Sequence, residues 1–470
     1  MPLPIRLLGL AFSATFLTGF LTATLALASE PIDLSPHIQP NSVTQVSIEL
    51  EAGGSTLVRT QSEKGGLGPE QRLPMSVSAK LQYAERRLAG SETAAMGSSA
   101  LAVRYYGLAE AVIKVDQSGV APRLAEDRRL IVLENAGFRP TLYCPKGPLP
   151  REQLDLVDVV GNSHVIDELL PDKPVADGDS WPSEAATMAA LLTLDSVAVC
   201  EVQSALEEFN DSFAKVRLAG VVHGTADGAA TEQDVRGVYL FDRTLRRITR
   251  LNLAVREKRS IGGATPGLEA VAKLQIKIEP RKSSHQLSDQ AIASISKAVR
   301  IPSRDLVFEA APLGFRIRHD RQWYITSRER ESVTLRRVDS SDLIAQCTLT
   351  YLPPKSAGRQ TTLEQFQKDV AYSLGKNFGE LVSTRQWKNS HGHYCYEVVV
   401  RGMVEELPVE WHYYLVARDS GHRVSVAVTI QGPMVDRVHG ADRALVDGVE
   451  LFVPLPAAQT AVRDVEPATK

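Results

Sequence analysis

Leu274-Gln-Ile-Lys-Ile-Glu279 alternates apolar and polar residues with a period of two. The alternation puts Leu274, Ile276 and Ile278 on one face of a strand and Gln275, Lys277 and Glu279 on the other, as in an antiparallel sheet with one wet face. Residues 197–206, 214–223, 235–241, 247–256 and 270–278 read as successive strands, with turns at Asp227-Gly228 and 242–244. Further upstream, Gln45-Val-Ser-Ile-Glu-Leu50 repeats the alternation, and 75–83 is a second strand candidate. These two lie in a stretch, 29–100, rich in Ser, Gly, Pro and Thr, which reads as a poorly packed N-terminal arm. Residues 100–115 are ambiguous: Leu101, Tyr105, Leu108 and Val112 have helical spacing, while 111–115 suit a strand. Residues 182–192 predict a helix with Pro182 in its first turn. Residues 29–281 therefore form one antiparallel β-rich domain.

Beyond it, 282–304 is a polar linker with a short helix that starts from Ser288 and turns Ile292, Ile295 and Val299 to one side. The second domain, 305–455, opens with strands at 306–308, 315–318, 323–326, 333–338 and 343–349. Thr361-Thr-Leu-Glu364 matches a capping box, and the helix behind it aligns Leu363, Phe366, Val370 and Leu374. Strands at 394–401, 409–417 and 424–430 follow, and a last helix is expected over 435–452. Residues 456–470 lack periodicity and read as a disordered tail. The fold class is α+β: an antiparallel β-rich domain, then an antiparallel sheet between helices.

The first 28 residues carry one charge, at Arg6, then an apolar run to Leu27 that ends in Ala26-Leu27-Ala28. This order predicts a secretory signal peptide cleaved after Ala28, and hence a secreted or periplasmic protein. The run is also close to the length of a membrane span, so an uncleaved helical tether is the alternative, and the only route to a membrane. Ser29 stands where a lipoprotein would need Cys. Apolar residues at 43% and charged residues at 23% are ordinary for a globular chain, and a net charge of −3 gives no drive toward nucleic acid.

Export opens the way to disulfides, and two of the four cysteines fall in each half of the chain. Cys144 could pair with Cys200, and Cys347 with Cys395. Against the second pair, Cys347 shares its face with Leu343, Ala345 and Leu349, whereas Cys395 shares its own with Glu397, Val399 and Arg401. The alternative is four buried free thiols.

The chain has no G-x-S-x-G, no phosphate-binding loop and no C-x-x-C; no catalytic, cofactor or metal residue is assigned. His391 and His393 could share a metal in an extended segment with His412 as third ligand, but a polar hairpin end explains them as well. Glu207-Glu208 and Glu405-Glu406 read as solvated turn ends. The basic run from Arg316 to Arg337 reads as a solvated hairpin. Val409, Trp411, Tyr413 and Leu415 share a face that a covering helix would make core, and Trp181 reads as a packing anchor.

Gly314-Phe-Arg-Ile-Arg-His-Asp-Arg-Gln-Trp323 resembles the opening strand, turn and Trp of PsbP-like domains, including the bacterial DcrB group. The helix Leu363-Glu-Gln-Phe-Gln-Lys-Asp-Val370, the strand Val409-Glu-Trp-His-Tyr-Tyr-Leu-Val416 and the final helix fall in the matching order, over residues 305–453. The resemblance implies an α/β/α sandwich and a binding or assembly role, and supplies no functional residue. The N-terminal sheet is similar to LolA-like lipoprotein carriers, and Leu169–Trp181 to exported bacterial proteins of unassigned role. The resulting expectation is an exported, non-catalytic protein that binds an envelope or extracellular protein, or an apolar ligand in the β domain. An exported hydrolase built around His319 and Asp320 is the rival, and a purely structural envelope component the third reading. Intact mass of the protein from its own host should place the N-terminus at Ser29; a mass that includes Met1 would make it membrane-tethered.

Overall fold

The computed structural model describes residues 30–61, 67–88, 100–135, 137–298, 304–356 and 361–454. The segments expected to be a signal peptide and a disordered tail lie outside the described residues.

The first domain is one antiparallel sheet. Its strands are β1 (Val43–Gln61), β2 (Leu67–Arg87), β3 (Ala100–Val115), β4 (Ser118–Val120), β5 (Leu130–Asn135), β6 (Pro140–Tyr143), β7 (Ser180–Pro182), β8 (Ser196–Phe209), β9 (Phe213–Ala226), β10 (Ala229–Asp242), β11 (Arg247–Arg259) and β12 (Gly267–Arg281). Between β6 and β8 lie helices α1 (Arg151–Val157) and α2 (Ala185–Leu192), and after β12 comes α3 (Asp289–Ala298). The strand order is β6-β5-β3-β2-β1-β12-β11-β10-β9-β8-β7, with β4 paired to β3. The supposed loose arm is instead the middle of the sheet. β1 is zipped to β12 from Val43↔Arg281 to Leu57↔Gly267, and β2 covers its other edge. Both edges of the 43–50 alternation needed partners, and the return of β12 supplies one of them. The ambiguous 100–115 segment is strand, because its backbone pairs with β2. The Asp227-Gly228 turn has φ of 49° and 70°, the two left-handed positions of a tight two-residue hairpin.

The segment from Leu149 to Leu194 lies across one face of this sheet. Leu154, Val157, Ile166, Met188, Leu191 and Leu192 pack with Ile48, Leu81, Val216, Leu253 and Ile276 in one core. Gly161, at φ 97°, sits so close that a Cβ there would come within 2.5 Å of Leu274 Cδ2. A void of about 10 Å³, the space of one water, lies beneath the segment between Ile48, Leu81 and Tyr83. A buried polar knot pins the segment down: Arg104 Nε donates to Glu85 Oε2 at 2.7 Å and Arg104 Nη2 to Asn162 Oδ1 at 2.6 Å, while Ser163 Oγ donates to the same Glu85 oxygen at 2.7 Å. Burial alone would raise Glu85, but the Arg104 charge, helped by His164, Arg87 and the Ser163 hydroxyl, outweighs it and holds the carboxyl at about 2. The sheet also curls until its far ends meet, since Arg139 before β6 forks onto Asp158 at 3.0 Å and lies 4.0 Å from Asp195 before β8.

The second domain has three layers. Its strands are β13 (Leu306–Ala310), β14 (Phe315–His319), β15 (Trp323–Arg328), β16 (Ser332–Asp339), β17 (Asp342–Leu352), β18 (Phe378–Lys388), β19 (Tyr394–Val404), β20 (Leu407–Ala417), β21 (Arg423–Gln431) and β22 (Val449–Leu451). Its helices are α4 (Leu363–Leu374), α5 (Val435–Val438) and α6 (Ala441–Asp447). A seven-stranded antiparallel sheet runs β15-β16-β17-β21-β20-β19-β18. α4 lays Phe366, Val370 and Leu374 on Val398, Val409, Trp411 and Leu415. The opposite face packs under α5, α6 and the small sheet β13-β14-β22. The cap of α4 is Thr362, whose hydroxyl accepts from Gln365 N at 3.1 Å, one residue on from the box expected at Thr361. The expected last helix is broken by His439 and Gly440, at φ 49° and 76°, and its end is strand instead. Val449 and Leu451 pair with Ile317 and Phe315, so sheet hydrogen bonds replace the helical ones.

All four cysteines are free. Cys347 and Cys395 do share one buried face, contrary to the phase argument. They stand on β17 and β19 with β21 and β20 between and four residues out of register, about 20 Å apart at the usual strand spacing and rise, where a disulfide needs Cα atoms within about 7 Å. Cys144 is buried, with Arg128 nearby, and Cys200 donates to the Ser183 carbonyl oxygen at 3.5 Å, so this pair is not formed either.

The domains meet through backbone carbonyls. Val307 N donates to Leu149 O at 3.0 Å, Arg151 to Arg321 O at 2.6 Å and Arg336 to Gly263 O at 2.9 Å, and Arg321 reaches Leu142 O. Much of the basic run is thus engaged within the protein rather than merely solvated. Replacing Glu85 by Gln should strand the buried Arg104 charge and cost about 3 kcal/mol. The urea midpoint measures this, and the double change Glu85→Leu with Arg104→Met should recover part of the loss.

Candidate functional site

The docked domains leave two adjoining cavities at their seam, of about 340 and about 370 Å³. Arg151, Asp155, Asp227 and Tyr324 line both. Arg151 and Asp155 come from successive turns of α1, 3.9 Å apart. Asp227 comes from the tip of the β9–β10 hairpin, where Gly228 packs against Val338 of the second domain. Tyr324 comes from edge strand β15, and the Arg151 guanidinium stacks over its ring at 4.6 Å. The first cavity adds His319, Trp323, Phe308 and Arg328; the second adds Arg139, Asp158, Asp195, Arg259 and Arg321.

The charges are nearly balanced. Arg139 holds Asp158, and Arg259 holds Asp227 at 3.1 Å. Asp155 is less well matched. Withdrawal from bulk water pushes its carboxyl up to about 7 against the pull of Arg151, and Asp227, Asp158 and Glu152 add repulsion. Its side chain is still 63% exposed to cleft water, which screens part of that rise. Asp195 is raised for the same reasons, by desolvation and then by Asp227. Burial lowers His319 and keeps its ring neutral. None of Arg139, Arg151, Asp155 or Tyr324 carries a sequence motif. Asp227 was legible only as a turn residue.

The expected His319–Asp320 dyad does not form. His319 Nδ1 donates to the Asp320 backbone carbonyl at 2.8 Å, while the Asp320 carboxylate binds Arg337 at 2.6 Å and Gln322 N at 2.9 Å. Among the described residues no carboxylate orients the imidazole, and no hydroxyl or thiol is hydrogen-bonded to it. The histidines of the metal test are also separated. His391 and His393 stack at 6.2 Å, but His393 Nε2 accepts from Leu451 N at 2.9 Å. His412 lies six residues along β20 from the position facing His393, about 20 Å away. Among the described residues no three ligating side chains come together. Glu207 pairs with Lys215 and Arg217, and Glu405 sits in a hairpin turn at φ 56°. Trp181 Nε1 donates to Leu169 O at 2.8 Å, as a packing anchor does.

His412 belongs to a different constellation. Its Nδ1 meets Asp442 Oδ2 at 2.5 Å and its Nε2 meets Glu410 Oε1 at 2.8 Å. Tyr414 donates to Asp442 and to Glu397, and Arg443 forks onto Glu397 at 2.8 and 3.1 Å. Both ring nitrogens face carboxylates, so the ring is held as an imidazolium and has no free lone pair for base chemistry. The arrangement ties α6 to the sheet.

No family model and no curated protein matches this chain. Among solved structures, the cyanobacterial PsbP protein of Synechocystis sp. PCC 6803 is 12% identical over 33% of this chain and 96% of its own, with a TM-score of 0.25. A mutant of the protein Mog1 is 7% identical over 32% of this chain and 97% of its own, TM-score 0.26. A protein of unknown function from Pseudomonas aeruginosa is 11% identical over 33% and 99%, TM-score 0.23. The likeness to the PsbP-like fold is weak and partial, and lies in the C-terminal region.

The His412 network sets a pH signature. Burial opposes charging His412, but Asp442 and Glu410 outweigh it and raise the pKa above 6.5; that contribution is complete below about 6.5 and is lost as pH rises through the folded value. Burial likewise opposes the charged forms of Asp442 and Glu410, but His412 and their other donors hold both carboxyls low, so their contributions vanish as pH falls below the ordinary values of 3.8 and 4.5. The difference in urea midpoint between the wild type and His412→Gln should therefore be largest in mild acid and shrink as pH rises through the folded value of His412. A difference that does not change with pH would refute the assignment.

Proposed function

We propose that this chain is an exported, non-catalytic binding or assembly protein that holds its ligand or partner at the seam between its two domains. The observation that carries the reading is the pair of joined cavities with walls from both domains, within the size range of small-molecule sites. Export rests on the order of charge, apolar run and small-residue site in residues 1–28. A binding role is supported further by the His319 geometry, which offers an acceptor without an orienting carboxylate or a nucleophile. The hydrolase alternative would need both. The covered face of the first sheet is filled by its own chain, which favours the seam over an apolar site beneath the 149–194 segment.

Thr265 lines the first cavity, and Thr265→Trp should fill it. Native mass spectrometry of protein from its own host should show a bound mass on the wild type that this variant loses. The reading fails if both proteins carry the same mass, or if neither carries any and the wild type gains no melting temperature from a panel of metabolites.

A further inference from the structure

Strand β18 is an open edge of the second domain's sheet. It stands last in the order, and among the described residues no strand pairs with its outer side. The opposite edge, β15, lies at the seam, where Tyr324 lines both cavities. The first sheet ends in strands of only four and three residues, β6 and β7. β18 runs for 11 residues without a proline, and Leu381 and Val382 in its first half are 39% and 40% exposed. Folded proteins commonly keep exposed edges short or break them with proline and charge, because a free row of backbone donors and acceptors invites another strand.

The charges on β18 say which strand fits. Glu380 stands opposite Arg401 of β19, and Arg385 opposite Glu397. Glu397 and Arg401 are four residues apart on β19, so they share a face, and Glu380 and Arg385 share it with them. The latter two are five residues apart; the register shift between Leu381 and Ser383 absorbs the odd residue, leaving Val382 as the extra one. A bulge at an edge often deters pairing. This one sets two opposite charges on one side of the strand. Both are poorly matched within the chain. Arg443 forks onto Glu397 and leaves Arg385 3.6 Å from it, while Glu410 holds Arg401 at 2.7 Å and leaves Glu380 at 3.7 Å.

We propose that β18 pairs antiparallel with β18 of a second copy of this chain, about a two-fold axis between Val382 and Ser383. In that register Glu380 of each copy stands opposite Arg385 of the other, on one face, and Leu381 stands opposite Thr384 on the other face. Sliding the pair by one residue turns facing side chains to opposite faces. Sliding it by two puts Glu380 opposite Ser383 or Trp387 and loses both ion pairs. The axis uses one complementary pair twice, as an isologous contact requires. A contact of one strand pair is small, so the dimer forms only at micromolar concentrations or above. Because β15 is the other edge, the dimer carries its two seams outermost and leaves both open.

Sedimentation velocity of the full mature chain, diluted from about 0.5 mM, tests this. The expected result is exchange between monomer and dimer that follows concentration. Glu380→Arg and Arg385→Glu should each weaken the dimer at least about tenfold, because each alone sets like charges opposite one another twice. Mixed in equal amounts, the two variants should associate again, since one then offers two positive side chains and the other two negative ones. The native side chains are 68% and 60% exposed, so urea midpoints should stay close to the wild type and misfolding does not imitate the result. A dimer that ignores both changes, or a mixture that fails to recover, overturns the proposal. So does a chain that stays monomeric at the highest concentration. Hydrogen exchange over 378–388 then says what the edge takes instead: protection means it is covered by the chain's own residues outside the described ones, and rapid exchange means it is left for a different protein.

Discussion

The rest of the structure depends on the buried Arg104–Glu85 pair and on the two residues, Asn162 and Ser163, that complete it. Each charge is out of water, and each would be costly alone. Together they hold the 149–194 segment against the sheet at one position, because Asn162 and Ser163 must reach the same guanidinium and carboxylate. That position sets α1, and α1 carries Arg151 and Asp155 to the seam. The functional geometry is therefore downstream of a polar contact in the interior of the first domain. An apolar interface alone would tolerate sliding.

The seam is also built differently from the cores on either side. Its contacts are arginine hydrogen bonds to backbone carbonyls, with one short backbone bridge at Leu149 and Leu306. Guanidinium groups suit this role because their donors are fixed in direction and their charge stays at every accessible pH. Carbonyls satisfy the hydrogen bonds without neutralising the charge. Asp155 and Asp195 are raised by desolvation and then by neighbouring carboxylates, whereas at Glu85 the cations and the Ser163 hydroxyl around it outweigh an equally adverse burial.

Much of the strand content is legible in the chain, since strands 8 to 12 and the sheet of the second domain bury one face and wet the other. The same rule misjudged β1 and β2: their Ser- and Gly-rich flanks resemble a loose arm, yet β12 returns some two hundred residues later to pair with β1. It misjudged the last helix because apolar spacing over 435–452 suits a helix, whereas the left-handed pair His439-Gly440 lets Val449 and Leu451 join β14. The cysteine reading went astray on strand order. Period-two phase says which way a side chain points, not how many strands stand between two of them. His319 was singled out for the wrong partner: its neighbour in sequence, Asp320, turns its carboxylate to Arg337.

Alternation, turn residues and the opening apolar segment are local properties, so the sequence by itself determined the α+β class, the hairpins such as Asp227-Gly228, and the expectation of export. Which strands become neighbours, where the 149–194 segment lies, and that His319, Asp155, Asp227 and Tyr324 share a wall were decided only by the tertiary structure. Those residues come from three separated parts of the chain. Their meeting depends on long-range pairing, on the buried Arg104–Glu85 knot and on arginines docked to carbonyls of the other domain. None of these leaves a periodic trace in the sequence, because each contact joins single residues whose own neighbours have no part in it.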